Sequence, residues 1–473
     1  MAKQISFINS KTGSGKTEFL IKQVGFSKNN SLIVAPNKKL CDEIEQRLVK
    51  SGQTDVITLH QDTIKNPINE LKDKMKTREF KTIVTTHASF ITAFAETLSN
   101  EHTWDLVIDE DLSPVIENEL YISQCTIQLF LSLFKFEADK TNEEFMVLSP
   151  RSKALKNAIE SKTIIDHILD NHHFRKLAKN VISEEMDCKM TKKMYDRLLE
   201  AEQSLSDNKD FKVTTVSFVK KASLMRFQNI TISSSMYEKT LSYKVFEKMG
   251  IEMKQQDFQE YHSRTDYSNV EIKYFTDGNW SKKLRLSKHE GATMQEFISR
   301  IITKELGSEK YIFNANIDSR DMFNFNGTLV TNIHGVNNHS GVTNVVYMPS
   351  LNASGEFVNF MSSLGVGRND IDFDRNVLSA YQFASRSAIR DPNNKEKVRI
   401  YVMDKRTAMF LQETFTGSSV KFHTVKKMKT KIPPNIRSFV SRVRSRMKND
   451  EYVRHNTLKK YNDIMKKYYG KTI

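Results

Sequence analysis

Ser10 to Thr17 read S-K-T-G-S-G-K-T, directly behind the apolar run Ile5-Ser6-Phe7-Ile8. The run is a strand that delivers the chain into a glycine-rich turn, and a helix opens at Glu18. The backbone N–H groups of such a turn, with a helix N-terminus behind them, form a site for phosphate oxygens. Gly13, Ser14 and Gly15 supply the cradle. Lys16 is placed to reach the β- and γ-phosphates of a nucleoside triphosphate, and the Thr17 hydroxyl to hold Mg²⁺. The usual first glycine of this pattern is Ser10 here, yet the two remaining glycines still permit the tight turn. The competing reading is a plain surface turn beside an exposed lysine, and the flanking strand and helix weigh against it.

Strand and helix alternate across the first 112 residues. The short runs Ile5–Ile8, Leu32–Ala35, Val56–Leu59, Ile83–Thr86 and Leu106–Ile108 are β-branched and nearly uninterrupted. That pattern belongs to strands buried on both faces. Between the second and third runs, Leu40, Ile44 and Leu48 recur on one helical face, with Asn37 as the cap and Gly52 beyond the end. The alternation predicts a parallel sheet covered by helices. From 113 to 210 no clear strand is visible, and Lys, Glu, Leu and Ile recur at helical spacing, which predicts a helical insertion. Strands are expected again at Phe211–Val219 and Asn229–Ser233. A variable connecting region spans 238–291 and includes a strand over Val270–Phe275. A second α/β region spans 292–415, and Pro433-Pro434 precedes a basic extension within 416–473.

The chain has 473 residues, 38% hydrophobic and 27% charged, which suits two or three globular domains. No apolar run approaches membrane-spanning length. Cys41, Cys125 and Cys188 lack metal-ligand or disulfide-framework spacing. These features predict no membrane partner and a cytoplasmic setting, the host's if phage-encoded. The net charge of +15 is uneven. Residues 421–473 hold 16 Lys and Arg against 3 Asp and Glu, leaving 56 against 54 over the other 420 residues. A basic segment of this kind, with Arg442, Arg444 and Arg446 as candidate contacts, predicts binding to a polyanion by counterion release. The alternative is a solvated helical tail that aids solubility. Phe439, Val440, Val443 and Met447 at helical spacing predict that it is helical and docked.

Two further clusters carry chemistry. In W-D-L-V-I-D-E-D-L, residues 104–112, a strand ends in Asp109-Glu110. Asp109 at a strand tip beside the phosphate turn can orient Mg²⁺, and Glu110 can polarise an attacking water as a general base. In A-Y-Q-F-A-S-R-S-A-I-R-D, residues 380–391, Gln382, Arg386 and Arg390 fall four apart. On one continuous helix they share a face, and two arginines there can stabilise charge on a transferring phosphoryl group.

S-K-T-G-S-G-K-T, L-I-V-A-P-N-K-K-L, T-I-V-T-T-H-A-S-F, V-I-D-E-D-L, I-T-I-S-S-S, T-N-I-H-G-V-N-N and Q-F-A-S-R-S-A-I-R occur in the order of superfamily-2 helicase motifs. The chain resembles the DExx-box branch found in phages, viruses and plasmids, over roughly Ile5 to Asp391. The resemblance implies an α/β fold of two RecA-like parallel-sheet domains, to which the residues themselves add a helical insertion, longer than the family leads one to expect, and a basic helical C-terminal tail. The first domain would be 1–112 with 211–237, the second 292–415. It implies ATP and Mg²⁺ as cofactors. Gly13, Gly15, Lys16 and Thr17 match the phosphate loop, and Asp109 and Glu110 the metal- and water-directing acids. Ser233 to Ser235 fall at a Ser-Ala-Thr element that couples hydrolysis to domain movement. Gly335 and Asn338 lie in a segment similar to the motif that senses nucleotide and nucleic acid. Pro36, Thr85, Thr86, His87 and Ser89 match positions that hold a sugar–phosphate backbone. Gln382, Arg386 and Arg390 resemble the arginine-finger motif, but its second arginine normally follows the first by three residues. Here the spacing is four, so either arginine can be the finger.

The implied activity is an ATP-dependent helicase or translocase on single-stranded or forked DNA, working with replication or recombination proteins. D-E-D-L is not D-E-A-D, and no glutamine motif precedes the loop within this sequence, so the resemblance to RNA-remodelling DEAD-box proteins is weaker. Three alternatives stay open at this point. One is a terminase-type packaging ATPase, which needs a nuclease site such as Asp370, Asp372 and Asp374. The others are an RNA helicase and an ATP-operated switch without unwinding.

Overall fold

The computed structural model describes residues 4–96, 98, 101–152, 155, 172–203, 211–261, 264–289, 292–322, 327–330, 339–423, 434–448, 457–458 and 461–462. Five strands open the chain: β1 (Gln4–Ser10), β2 (Asn30–Ala35), β3 (Val56–Leu59), β4 (Thr82–Thr86) and β5 (Trp104–Asp109). The next five are β6 (Val115–Ile122), β7 (Phe134–Ala138), β8 (Phe145–Pro150), β9 (Met186–Thr191) and β10 (Phe211–Val219). Then come β11 (Asn229–Ser235), β12 (Glu252–Gln255) and β13 (Val270–Tyr274). A two-residue hairpin follows, β14 (Lys288–His289) with β15 (Ala292–Thr293). The last strands are β16 (Tyr311–Asn314), β17 (Gly327–Leu329), β18 (Asn344–Tyr347), β19 (Val398–Val402) and β20 (Ser419–Phe422).

Two sheets are wholly parallel, in the orders β12-β1-β11-β5-β2-β4-β3 and β17-β16-β18-β19-β13-β20. The fold is α/β with two parallel-sheet domains of the RecA kind. Helices cover the first sheet, among them α1 (Lys16–Phe26), α2 (Lys38–Lys50), α3 (Pro67–Thr77) and α4 (His87–Ala95). Asn37 caps α2 by accepting from the Leu40 N–H at 3.0 Å. Apolar residues on both faces of β1, β2 and β5 are buried, which is why those runs read as continuous.

Three expectations about boundaries need correction. Residues 113–210 are not simply helical: the insertion is built on a five-stranded antiparallel sheet, β6-β10-β9-β8-β7. Along β6, Asn118, Leu120 and Ile122 face the insertion's own core and are buried, while Glu119 and Tyr121 between them are not. Such alternation with charged residues gives no apolar run to notice. Second, Phe211–Val219 belongs to the insertion as β10, between β6 and β9, and not to the first parallel sheet. Third, both parallel sheets outreach their expected limits. β12 joins the edge of the first, while β13 sits inside the second between β19 and β20.

The insertion has its own core around Phe130, Phe134 and Phe174. A second apolar cluster joins three parts of the molecule. It holds Val115, Phe145 and Val216 of the insertion, Leu241 and Val245 of the first domain, and Phe357, Phe360 and Met361 of the second. Among the described residues no helix is long and apolar enough to cross a membrane.

Candidate active site at the cleft between the parallel sheets

The turn after β1 takes left-handed backbone at Gly13 (φ 83°) and Gly15 (φ 94°), and Gly15 is the N-cap of α1. A side chain would be strained at either position. The helix therefore begins at Lys16, with its amides facing the carboxyl ends of the strands, where ligands bind in open α/β sheets. Lys16 is buried, and its Nζ donates to the Lys11 carbonyl (2.8 Å) and to Ser235 Oγ (3.0 Å). Burial lowers its pKa from the ordinary value, while Glu110 and Asp109 pull it back up. Ser14 Oγ meets Ser10 Oγ at 2.7 Å, so the serine in the first-glycine place braces the turn.

Asp109 closes β5 two strands away. Thr17 Oγ1 donates to Asp109 Oδ2 at 3.0 Å. Burial, with Glu110 next to it, pushes the Asp109 carboxyl up to about 7 against the pull of Thr17, Lys16 and Arg386. Two hard oxygen donors, one on a carboxylate destabilised by its surroundings, fit a divalent cation of the Mg²⁺ type. Glu110 lies in the left-handed region at φ 68°, uncommon for a residue with a side chain. Its N–H donates to the Ser233 carbonyl at 2.7 Å, extending the β5–β11 ladder by one bond.

The second domain supplies the opposite wall. The expected single helix across 380–391 is corrected: it spans only Ser379–Ala384, and a 3₁₀ turn follows at Ala388–Arg390. Ser385 Oγ donates to the Tyr381 carbonyl and Ser387 Oγ to the Ala384 carbonyl. Ser387 Oγ also accepts from the Ile389 N–H. Serine hydroxyls that satisfy local backbone groups end a helix where periodicity alone would continue it. The break turns both arginines to the cleft. An Arg386 Nη stands 3.6 Å from Glu110 Oε1. Arg390 packs over Gly13, whose added Cβ would lie 3.1 Å from Arg390 Cγ. Gln382 is buried in the helix and is not among the residues lining the cleft. The cleft has a volume of about 700 Å³, and Lys16, Thr17, Asp109, Glu110, Arg386 and Arg390 all line it.

Several contributors carried no sequence signal. Tyr381 reaches across from the second domain, and its hydroxyl accepts from the Thr12 N–H at 3.0 Å. Glu43 and Arg47 of α2 complete the wall. The segment after β12 folds back over the turn. Glu260 Oε1 accepts from the Lys11 N–H (3.2 Å), and the Tyr261 N–H donates to the Ser14 carbonyl (2.9 Å). Nothing in its composition marks that path. Ser235 was visible as part of S-S-S, but its bond to Lys16 was not.

The backbone-contact candidates separate into two groups. Thr85 is a correction. Its side chain is fully buried, and its hydroxyl donates to the Leu59 carbonyl at 2.8 Å, so it serves the sheet. Thr86 is a second. Its hydroxyl accepts from the Ser89 N–H, donates to Ser89 Oγ and caps α4, with both side chains buried. Pro36 remains half-buried after β2. The His87 ring meets the backbone carbonyl of Asp109. Gly335 and Asn338 lie outside the described residues. Arg442 and Arg446 are exposed on the helix Pro434–Lys448, with Val440 and Val443 buried on its other side. Arg444 lies in the same helix. The acids a nuclease would need do separate jobs. Asp370 accepts from the Gly367 N–H, Asp372 stands 3.8 Å from Arg368, and Asp374 accepts from the Leu241 N–H.

Fold and cleft together define a two-domain ATP hydrolase of the phosphate-loop class. Residues 2–111 match the model of the DEAD/DEAH box helicase family. Similar folds among solved structures include an XPD helicase in its apo form (13% identity, TM-score 0.50, 89% of this chain and 97% of that one). Another XPD helicase structure aligns at 13% identity and TM-score 0.47, over 89% and 96% of the two chains. Dbp5 of S. cerevisiae, bound to RNA and ADP BeF3, aligns at 12% identity and TM-score 0.37, over 89% and 85%. No curated protein matches the chain.

Proposed function

We propose that this chain is a DNA helicase or translocase that couples ATP hydrolysis to opening and closing of the cleft, in replication or recombination of the phage, virus or plasmid kind. The supporting observation is the approach of Arg386 to Glu110 across the cleft, with the phosphate turn beside them. Lys16 and the turn amides hold the β- and γ-phosphates. Thr17 and Asp109 hold Mg²⁺, which when bound offsets phosphate charge. Glu110 orients the attacking water and takes its proton. Arg386 and Arg390 face the departing charge from the second domain, Arg386 nearer the water-directing acid. A triphosphate favours closure because it gives these guanidinium groups a shared partner, and hydrolysis removes that partner. The exposed arginines of the last helix add affinity for a phosphate backbone with little sequence preference.

The deciding experiment is the ATPase rate with single-stranded DNA, duplex DNA and RNA added separately, for the native chain and for Lys16→Ala. Stimulation by DNA above RNA is expected, with a loss of about 10²-fold or more in turnover for Lys16→Ala. Stimulation by RNA alone would move the substrate to RNA. Native-like turnover in Lys16→Ala would remove the phosphate-loop mechanism.

A further inference from the structure

The peptide between Asp109 and Glu110 is the most constrained link in the site. Ahead of it Asp109 meets Thr17, and behind it Glu110 adopts left-handed backbone. That conformation is what turns the Glu110 side chain towards Arg386 instead of along the strand. Left-handed backbone persists at a residue with a Cβ only where its surroundings fix it. The N–H of this peptide is fixed by the Ser233 carbonyl at 2.7 Å. Its carbonyl is fixed from the other side by His87 Nε2 at 3.0 Å. A carbonyl can only accept, so Nε2 must carry the proton in this bond.

His87 is the first residue of α4, and the α4 N-terminus is pinned by the Thr86 cap. The ring thus connects the start of one helix to the plane of the catalytic peptide. Thr85 and Thr86 beside it face inward, so this segment is organised around the sheet and not only around a ligand outside it.

We propose that His87 is a positioning residue for hydrolysis: its Nε2–H holds the Asp109–Glu110 peptide in the orientation that aims Glu110 into the cleft. Its principal role is therefore turnover and not strand affinity. The inference rests on the reading of Glu110 as the water-directing acid, and the test separates the two.

His87→Ala, His87→Gln and His87→Asn are compared with Glu110→Gln. The Gln amide nitrogen occupies the place of Nε2, whereas the Asn amide falls one bond short. His87→Ala and His87→Asn are expected to lower kcat by about tenfold or more with KM for ATP within about twofold. His87→Gln is expected to recover most of the loss. Binding of a fluorescent single-stranded DNA without nucleotide is expected to be unchanged in all three. Equal turnover in the Gln and Asn variants overturns the proposal even if His87→Ala fails to fold. So does a loss of DNA affinity with kcat intact at saturating DNA. Full turnover in Glu110→Gln would instead overturn the reading of Glu110, whatever the histidine variants do.

Discussion

Asp109 shows how one residue can be tuned by its place. It ends a strand buried on both faces, and a second carboxyl follows it directly. Burial and that neighbour hold its carboxyl at about 7. A proton and a divalent cation therefore compete for it near neutrality. The sign is fixed: as pH rises through about 7 the carboxylate is freed, so Mg²⁺-dependent nucleotide binding should strengthen and then level off. Fluorescent ATP-analogue binding titrated with Mg²⁺ at several pH values checks this. In Glu110→Gln the midpoint should move to lower pH, because one of the two causes of the upward shift is gone.

At the scale of elements, the arginine turn and the insertion mark the limit of what the sequence discloses. The phosphate turn was legible because Gly13 and Gly15 answer a backbone demand that few other residues meet. β1 to β5 were legible because two buried faces leave an unbroken apolar run. The insertion's strands were not, because β6 alternates Asn118, Leu120 and Ile122 with residues such as Glu119 and Tyr121. The arginines were found by type and order, but their arrangement was not. It depends on Ser385 and Ser387 ending the helix, and hydroxyl-to-carbonyl bonds leave no periodicity. Likewise T-T-H-A-S-F was recognisable, yet only the packed structure shows that Thr85 and Thr86 face inward. The turn separates the two guanidinium groups in function. Arg386→Ala should lower kcat by about 10²-fold with modest change in ATP binding, since its neighbour is Glu110. Arg390→Ala should raise KM more, since it packs on the phosphate turn. Steady-state kinetics on the two variants distinguishes them.

At the scale of the whole molecule, charge and packing are divided between two ends. The basic extension begins within the second sheet: Lys421 lies in β20 and pairs with Glu271. A truncation at 421 would therefore damage that domain. Reversing Arg442 and Arg446 to Glu leaves the buried Val440 and Val443 in place and isolates the charge. That variant should bind DNA more weakly. Its slope of log affinity against log salt should be shallower by about one for each phosphate no longer neutralised. At the other end, Phe360 meets Phe145 at 5.7 Å and Phe218 at 5.5 Å between ring centres. Arg375 of the second domain pairs with Glu117 beside them at 3.0 Å. Phe360→Ala should cost about 3 kcal/mol or more, read as a lower denaturant midpoint.

That aromatic contact has a mechanical meaning. The insertion leaves the first domain a few residues after Asp109 and Glu110, and its last strand ends beside that exit, where the Val219 N–H donates to the Pro114 carbonyl, so it is a bracket with both feet at one place. Near that root, Val115, Glu117, Val216 and Phe218 bear on the second domain through Phe360 and Arg375. The two lobes are thus joined as a frame with a bearing, not as two bodies on a tether. Any parting of the lobes must carry Phe360 out from between Phe145 and Phe218, so the contact that joins them also resists their separation.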